Sequence, residues 1–542
     1  MLFRAMFASH VQRVTDDPSG HAIARAREPV LQRAAAWLRA LAGHLVWALL
    51  VVGAWTGTYR LGLAAGATLL WVPLFYRAVT RRWRLGWATL IGTLAAAAAA
   101  PYLFALSDFP HGKLAAFGAC LVFGIEIGLI AECYALLSPN PLALLTIGPV
   151  VAVLVEHLRA CAFSWPTLLS HAPLSVFPTG RLLAMIGPLG VAWINFLHQT
   201  VLAAALAYRS RRRFYWGAWL AMTLGLLLGG TALRPATTAS PPVDGVLIIQ
   251  PGTPFRPLPG NPTRPLPTGD AAARLTLAAL QRHRPSLIVW PETSLAPAYV
   301  EEDSRGRLRL LESTGTFGIR PFGERIAAQT GAHFIAGLLL HYPNGDMTNG
   351  AVCISPDGQI QWYEKGTLVW FVETLPPELG AAGQWLRLWQ RPPGYLRPGR
   401  HRRVFACLIG TRRVNLQAAI CLEKYVYWGW TAQDPPTNAA MVHVGNESYF
   451  ATAPSLLFEH RWAMRSRALQ TGYWQFSAQT YRGSCVVAPS GRILTQLPPG
   501  PGWIFVSRSS VSTHPVSYSD LWKLPRPELP PVSDSHGPAR TK

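Results

Sequence analysis

The feature that most constrains this chain is that its long apolar runs are confined to residues 41–233. A helix crossing hydrocarbon needs about 20 largely apolar residues. Candidates lie near 41–59, 61–76, 85–107, 114–137, 141–158, 182–207 and 214–233, which predicts an all-α bundle of about seven transmembrane helices over 41–233. The rest of the 542 residues is richer in Pro, Gly and mixed polar residues, so two unlike halves are expected. With 50% apolar and 14% charged residues and a mean hydropathy of +0.20, the chain is too apolar for an ordinary soluble enzyme.

Orientation follows from arginine, because cytoplasmic loops carry the positive excess. Arg25, Arg27, Arg33 and Arg39 precede the first run, Arg77, Arg81, Arg82 and Arg84 follow the second, and Arg209, Arg211, Arg212 and Arg213 follow the sixth. All three clusters share a side only if residues 1–40 form a cytoplasmic segment. That segment lacks the apolar core of a cleavable signal peptide. Seven crossings then place everything after about residue 234 outside, which in a multi-pass protein of a bacterial inner membrane is the periplasm. The net charge of +22 would suggest nucleic acid if it lay on one soluble face. Its place beside the apolar runs suits topology and anionic headgroups instead, so no nucleic-acid partner is expected.

Polar residues inside the runs are few: Glu126 and Glu132 in the fourth, and Asn195, His198 and Gln199 in the sixth. Glu126 is read either as functional or as an interhelical hydrogen bond. The stretch Glu156-His157-Leu158-Arg159 to Trp165-Pro166 is too polar for lipid and is expected to be an outer-surface loop. The seven cysteines include no CxxC and no paired Cys/His spacing, so neither a metal site nor a disulfide framework is signalled, and no cofactor is expected.

After a Pro/Thr/Ser-rich linker from Pro235 to Pro242, short β-branched runs alternate with helical patterns, which predicts an α/β domain over 240–510. A Pro-rich tail at 511–542 is expected to be disordered. Three segments carry candidate chemistry, each an apolar strand delivering a reactive residue at its carboxyl end. Ile288-Val289-Trp290-Pro291-Glu292 presents a carboxylate suited to general-base work. Tyr363-Glu364-Lys365, with Glu373 eight residues beyond the lysine, presents a cation able to stabilise a forming oxyanion. Ala418-Ala419-Ile420-Cys421 ends in a thiol. Each alone has a plainer explanation, as a helix-start acid, a surface lysine and an inert core cysteine respectively.

In this order the three segments resemble the Glu-Lys-Cys triad of the carbon–nitrogen hydrolase (nitrilase) superfamily. The apolar half narrows the resemblance to the membrane branch, apolipoprotein N-acyltransferase and its relatives. Further matches are Glu156-His157-Leu158-Arg159, Val289 to Thr293, Asn349, Leu368-Val369, Glu423, Gly445 to Phe450, and His460 through Arg465, Arg467 and Ala468, so that roughly residues 40–507 are covered. The resemblance implies an αββα sandwich with Glu292 as base, Lys365 as transition-state stabiliser, Cys421 as nucleophile and Glu373 as a second essential carboxylate. It also implies a thioester acyl-enzyme, with a phospholipid as acyl donor and the α-amine of a diacylglyceryl-cysteine at a lipoprotein's N-terminus as acceptor. A monomer is expected.

The chain departs from that pattern at Thr367, Trp370 and Val372, where His, Pro and Gly normally stand, and at Leu422, normally Tyr. No tryptophan occurs between Pro251 and Pro267, and no apolar run follows the catalytic domain where the acyltransferase has an eighth span. A core triad with a drifted surround resembles the conjugal-transfer proteins of the TraB type. The readings carried forward are acyl transfer to an amine, amidase hydrolysis of a carbon–nitrogen bond, and a membrane scaffold of the TraB type.

Overall fold

Residues 246–250 read Val-Leu-Ile-Ile-Gln and every one is buried. Because successive strand side chains point to opposite faces, such a run belongs to a sheet covered on both sides, and that requirement organises the second half of the molecule. The computed structural model describes residues 20–524 apart from 81, 102, 104–111, 163–168, 234–239, 255–265, 303–307, 312–317, 370–372, 375–395, 400–403, 427–437 and 449–454. The expectations for Trp165-Pro166, Trp370, Val372, Tyr449-Phe450 and the tail beyond 524 lie outside the described residues.

The first half is helical: α1 (Gly20–Trp55), α2 (Val72–Val79), α3 (Leu85–Ala99), α4 (Gly112–Leu137), α5 (Pro141–Ala162), α6 (Leu183–Ala207) and α7 (Arg212–Ala232). Among the described residues, four helices are long and apolar enough to cross a membrane: Leu38–Arg60, Ala116–Leu137, Pro141–Cys161 and Pro178–Ala207. The runs expected at 61–76 and 85–107 give shorter apolar helices, Ala64–Val79 and Leu85–Ala99. Seven spans are therefore not what helix length and apolarity support. The outer-loop expectation for Glu156–Arg159 is also corrected: α5 continues through it, and both Glu156 and Arg159 are buried. Arg159 Nε bonds Glu126 Oε2 at 2.5 Å and the guanidinium lies 4.4 Å from the Phe123 ring centre. A polar stretch enters the bundle because its charge is paired there, and Glu126 is the partner.

The second half holds two sheets. One has nine strands: β1 (Val246–Gln250), β2 (Leu287–Val289), β3 (Ala298–Glu302), β4 (Leu308–Leu311), β5 (His333–His341), β6 (Met347–Ile354), β7 (Ile360–Glu364), β14 (Gly502–Val506) and β15 (Val511–Pro515). Strands β1, β2 and β5 run parallel at its centre. The other has six: β8 (Val404–Ile409), β9 (Arg412–Ile420), β10 (Ala439–Gly445), β11 (Trp474–Gln479), β12 (Cys485–Val487) and β13 (Ile493–Gln496), with β9, β10 and β11 parallel.

Val246, Ile248 and Val289 of the first sheet share a core with Leu416, Ala418 and Val442 of the second. The alternate residues Leu247, Ile249 and Ile288 pack outward on Ala272, Leu275 and Ala279 of helix α8 (Thr268–Leu280) and on Ile326 of α9 (Arg325–Thr330). Helix α10 (Ser455–Thr471) covers the second sheet, with Met464 and Ala468 on Cys485 and Val487. The domain is the expected αββα sandwich. It does not end at 510. Strand β15 pairs along β14, and helix α11 (Tyr518–Lys523) buries Leu521 in the outer core. Pro and Ser bias made this stretch read as tail, whereas its short half-buried strand is held by its neighbour's ladder.

Helix α10 also joins the halves. Leu456 and Trp462 belong to the helical bundle's core, Trp462 meets Tyr59 edge-on at 5.9 Å, and Arg465 Nη2 donates to the Ser175 carbonyl at 3.2 Å.

Candidate active site

Lys365 and Cys421 are the first residues after β7 and β9 and Glu292 is the third after β2, so all three follow the carboxyl ends of their strands. Glu292 sits where the backbone approaches β5 so closely that a Cβ on Gly337 would stand 2.4 Å from its Cα. The next residue, Thr293, has φ +51° and Cys421 has φ +52°. A left-handed conformation at a non-glycine residue costs of order 1–3 kcal/mol and persists only where surrounding contacts over-determine it.

Those contacts are visible around Cys421. The Glu423 carboxylate accepts from Ile420 N (2.9 Å), Gly366 N (2.8 Å), Thr367 N (3.2 Å) and Tyr363 OH (2.7 Å), pinning the turn after β9 to the segment after β7. His443 Nε2 donates to the Cys421 carbonyl at 2.9 Å. Burial and the Lys424 charge hold His443 far below its ordinary pKa, so the ring is neutral.

Lys365 is fully buried, its Nζ donating to Glu373 Oε1 (2.7 Å) and Oε2 (2.8 Å) and lying 3.8 Å from Glu292 Oε1. Asn349 Nδ2 bridges the two carboxylates, bonding Glu292 Oε1 and, at 3.0 Å, Glu373 Oε1. Cys421 and Glu292 are close enough that each shifts the other's titration, and the buried Glu292 Oε2 makes no hydrogen bond. Burial pushes Glu292 up, Lys365 pulls it down and Glu373 adds to the push, leaving it above the usual carboxylate range. Burial, reinforced by Glu292, pushes the Cys421 thiol up to about 12. Lys365 stays charged: the Cys421, Glu373 and Glu292 side chains outweigh burial and raise it above the ordinary lysine value. The arrangement is a protonated thiol beside a carboxylate with a free lone pair, under a fixed cation. Proton transfer to Glu292 would therefore have to accompany attack by sulfur.

Residues 262–514 match the family model described as carbon-nitrogen hydrolase. That stretch of the chain is similar to carbon–nitrogen hydrolases. It is 26% identical over 330 residues to an apolipoprotein N-acyltransferase of Pseudomonas syringae pv. tomato, a match spanning 58% of this chain and 59% of that protein. Among solved structures it is similar to Saccharomyces cerevisiae Nit3, a member of branch 10 of the nitrilase superfamily, with 16% identity, 49% of this chain and 92% of that one covered, and a TM-score of 0.33. An amidase from Nesterenkonia sp. is similar over 54% of this chain and 97% of its own, with 17% identity and a TM-score of 0.29.

Within this two-sheet domain the structure brings together all four residues singled out from sequence, Glu292, Lys365, Glu373 and Cys421. Three others had no role in that reading. Asn349 and Glu423, which the resemblance includes without a role, join the two carboxylates and brace the cysteine turn respectively, and His443 holds the cysteine carbonyl. A buried polar residue inside a β-branched run, as in Met347–Ile354, is the signal that marks Asn349. Nothing local to His443 distinguishes it from a core histidine.

Proposed function

We propose that the protein is a membrane-bound acyltransferase in which Cys421 takes an acyl group from a phospholipid ester as a thioester and passes it to an amine, the amine of a lipoprotein N-terminus being the acceptor that the matched relative's name suggests. The observation that carries this reading is the position of the thiol. Next to Cys421, Leu422 and Tyr425 pack on Ala463 of helix α10, and α10 packs Leu456 and Trp462 into the core of the membrane helices. Val369, four residues past Lys365, touches both that core and the Leu422, Tyr425 and Ala463 cluster beside the cysteine. A lipid-anchored donor and acceptor would meet the nucleophile at the bilayer surface.

In the first half-reaction Glu292 takes the thiol proton as sulfur attacks the ester carbonyl, and Lys365 stabilises the oxyanion. Collapse expels the lysophospholipid alkoxide, which takes the proton back from Glu292. The amine then attacks the thioester as Glu292 takes its proton, and the carbon–sulfur bond breaks with that proton passing from Glu292 to the Cys421 sulfur, which restores the thiol and the carboxylate. In bilayers with labelled phospholipid, the protein is expected to acquire a hydroxylamine-labile label that an added amine discharges. Absence of any such label would overturn the reading, and discharge by water alone at the same rate would favour an amidase.

The pH dependence follows from Glu292. The base must be ionised, and its pKa lies above the usual carboxylate range, so acylation should rise with pH through a limb displaced upward from about 4.3. Lys365 titrates above the ordinary lysine value, so no alkaline fall should come from it below that range. Rates at constant ionic strength check both statements. We also propose a cytoplasmic N-terminus, on the arginine clusters, and a periplasmic catalytic domain, which requires that an odd number of the helices α1 to α7 cross the bilayer, the shorter apolar ones adding to the four long ones. A reporter active only in the periplasm should work when fused after residue 530.

A further inference from the structure

Away from the catalytic cluster, the sandwich brings together three residues that lie far apart in sequence. His333 opens β5, Cys353 lies on β6 and Cys407 lies on β8 of the opposite sheet. All three are buried and each places a ligand atom within 4.8 Å of the others. The two Sγ atoms are 3.6 Å apart. His333 Nε2 donates to the Leu408 carbonyl at 3.0 Å, which makes Nδ1 the lone-pair nitrogen, and Nδ1 is buried without a hydrogen bond. We propose that His333, Cys353 and Cys407 form a binding site for a thiophilic divalent cation of the zinc type that clasps the two sheets.

The donor chemistry agrees. Two thiolates and an imidazole are a soft ligand set that zinc favours over calcium or magnesium. Sulfurs each about 2.3 Å from a tetrahedral ion stand roughly 3.8 Å apart, close to the observed separation. A ligating histidine usually donates its other ring N–H to a carbonyl or carboxylate, as Nε2 does to Leu408. The cation would replace two thiol protons, released to solvent.

The site is remote from the nucleophile. Cys407 pairs with Val414, and β9 runs seven residues from there to Cys421, about 23 Å at ~3.3 Å per residue. Its role is therefore structural, and it stands independently of the acyltransferase reading.

The test uses full-length protein in detergent with Cys421→Ala, so that the catalytic thiol cannot contribute. After reduction and removal of metal by a chelator, cobalt(II) is titrated. One equivalent per chain should bind with a sulfur-to-cobalt charge-transfer band in the near ultraviolet, zinc should displace it, and the band should vanish in C353A/C407A and weaken in H333A. Should the double variant misfold, zinc should still slow alkylation of Cys353 and Cys407 in the otherwise native chain. The proposal is overturned by absence of the band, by its survival in C353A/C407A, by alkylation indifferent to zinc, or by a freshly isolated chain whose intact mass shows Cys353 and Cys407 joined as a disulfide.

Discussion

Cys421→Ala leaves no hydroxylamine-labile acyl group on the protein after incubation with labelled phospholipid, and turnover falls on the order of 10⁶-fold, the scale seen when a nucleophile is removed from an enzyme that forms a covalent intermediate. Glu292→Gln tests the same step without touching sulfur. Its amide keeps the size of the side chain but cannot take a proton. Burial, the largest cause of the raised thiol, persists in the variant although the push from Glu292 is gone, so little thiolate forms without that base and acylation should slow by about 10²- to 10⁴-fold. The two variants must differ in kind. Given long incubation, Glu292→Gln still accumulates some thioester, whereas Cys421→Ala never does. Equal label on wild type and Cys421→Ala would show that the acyl group sits elsewhere and would remove the cysteine from the mechanism.

Lys365→Ala has two large consequences with different pH signatures. The oxyanion loses its cation, which commonly costs about 100- to 1,000-fold in rate. Glu292 and Glu373 also lose the buried charge between them, and breaking a buried pair on one side costs about 3–5 kcal/mol. Glu292 is already pushed up by burial and by Glu373, and Lys365 is the charge that pulls it down. In the variant its folded pKa rises further above the unfolded value. A carboxylate raised in this way favours the fold at pH below its unfolded pKa, and that advantage is lost as pH rises toward the folded pKa. The melting temperature of Lys365→Ala should therefore fall furthest below wild type at neutral and alkaline pH and recover in acid, while activity does not recover. A deficit independent of pH would mean that Lys365 merely fills space.

Much of the domain could be read along the chain. Helical spacing over 270–283 and 457–471 and a strand-like run near 440–444 are legible in the residues themselves, and the structure forms Thr268–Leu280, Ser455–Thr471 and Ala439–Gly445 there. These succeed because apolar periodicity is a local record of which faces are covered. The edge strand Val511–Pro515 escaped that reading because its pattern is half-buried and polar, and its pairing partner supplies what its own sequence lacks. Glu156–Arg159 escaped it for the opposite reason. Local polarity pointed outward, while Glu126, 33 residues before Arg159, provides the charge that lets the helix turn it inward.

The sequence by itself determined the helical first half and the α/β second half, because apolar period is a property of contiguous chain, and it singled out Glu292, Lys365, Glu373 and Cys421 through the resemblance of their segments to a known triad. Only the tertiary structure decided that Asn349 joins two carboxylates, that His443 and Glu423 hold Cys421 at φ +52°, and that His333, Cys353 and Cys407 meet across two sheets. Each of these is a contact between strands or turns distant in sequence. Its strength comes from burial and from the exclusion of competing water, and neither exists until the sheets have packed.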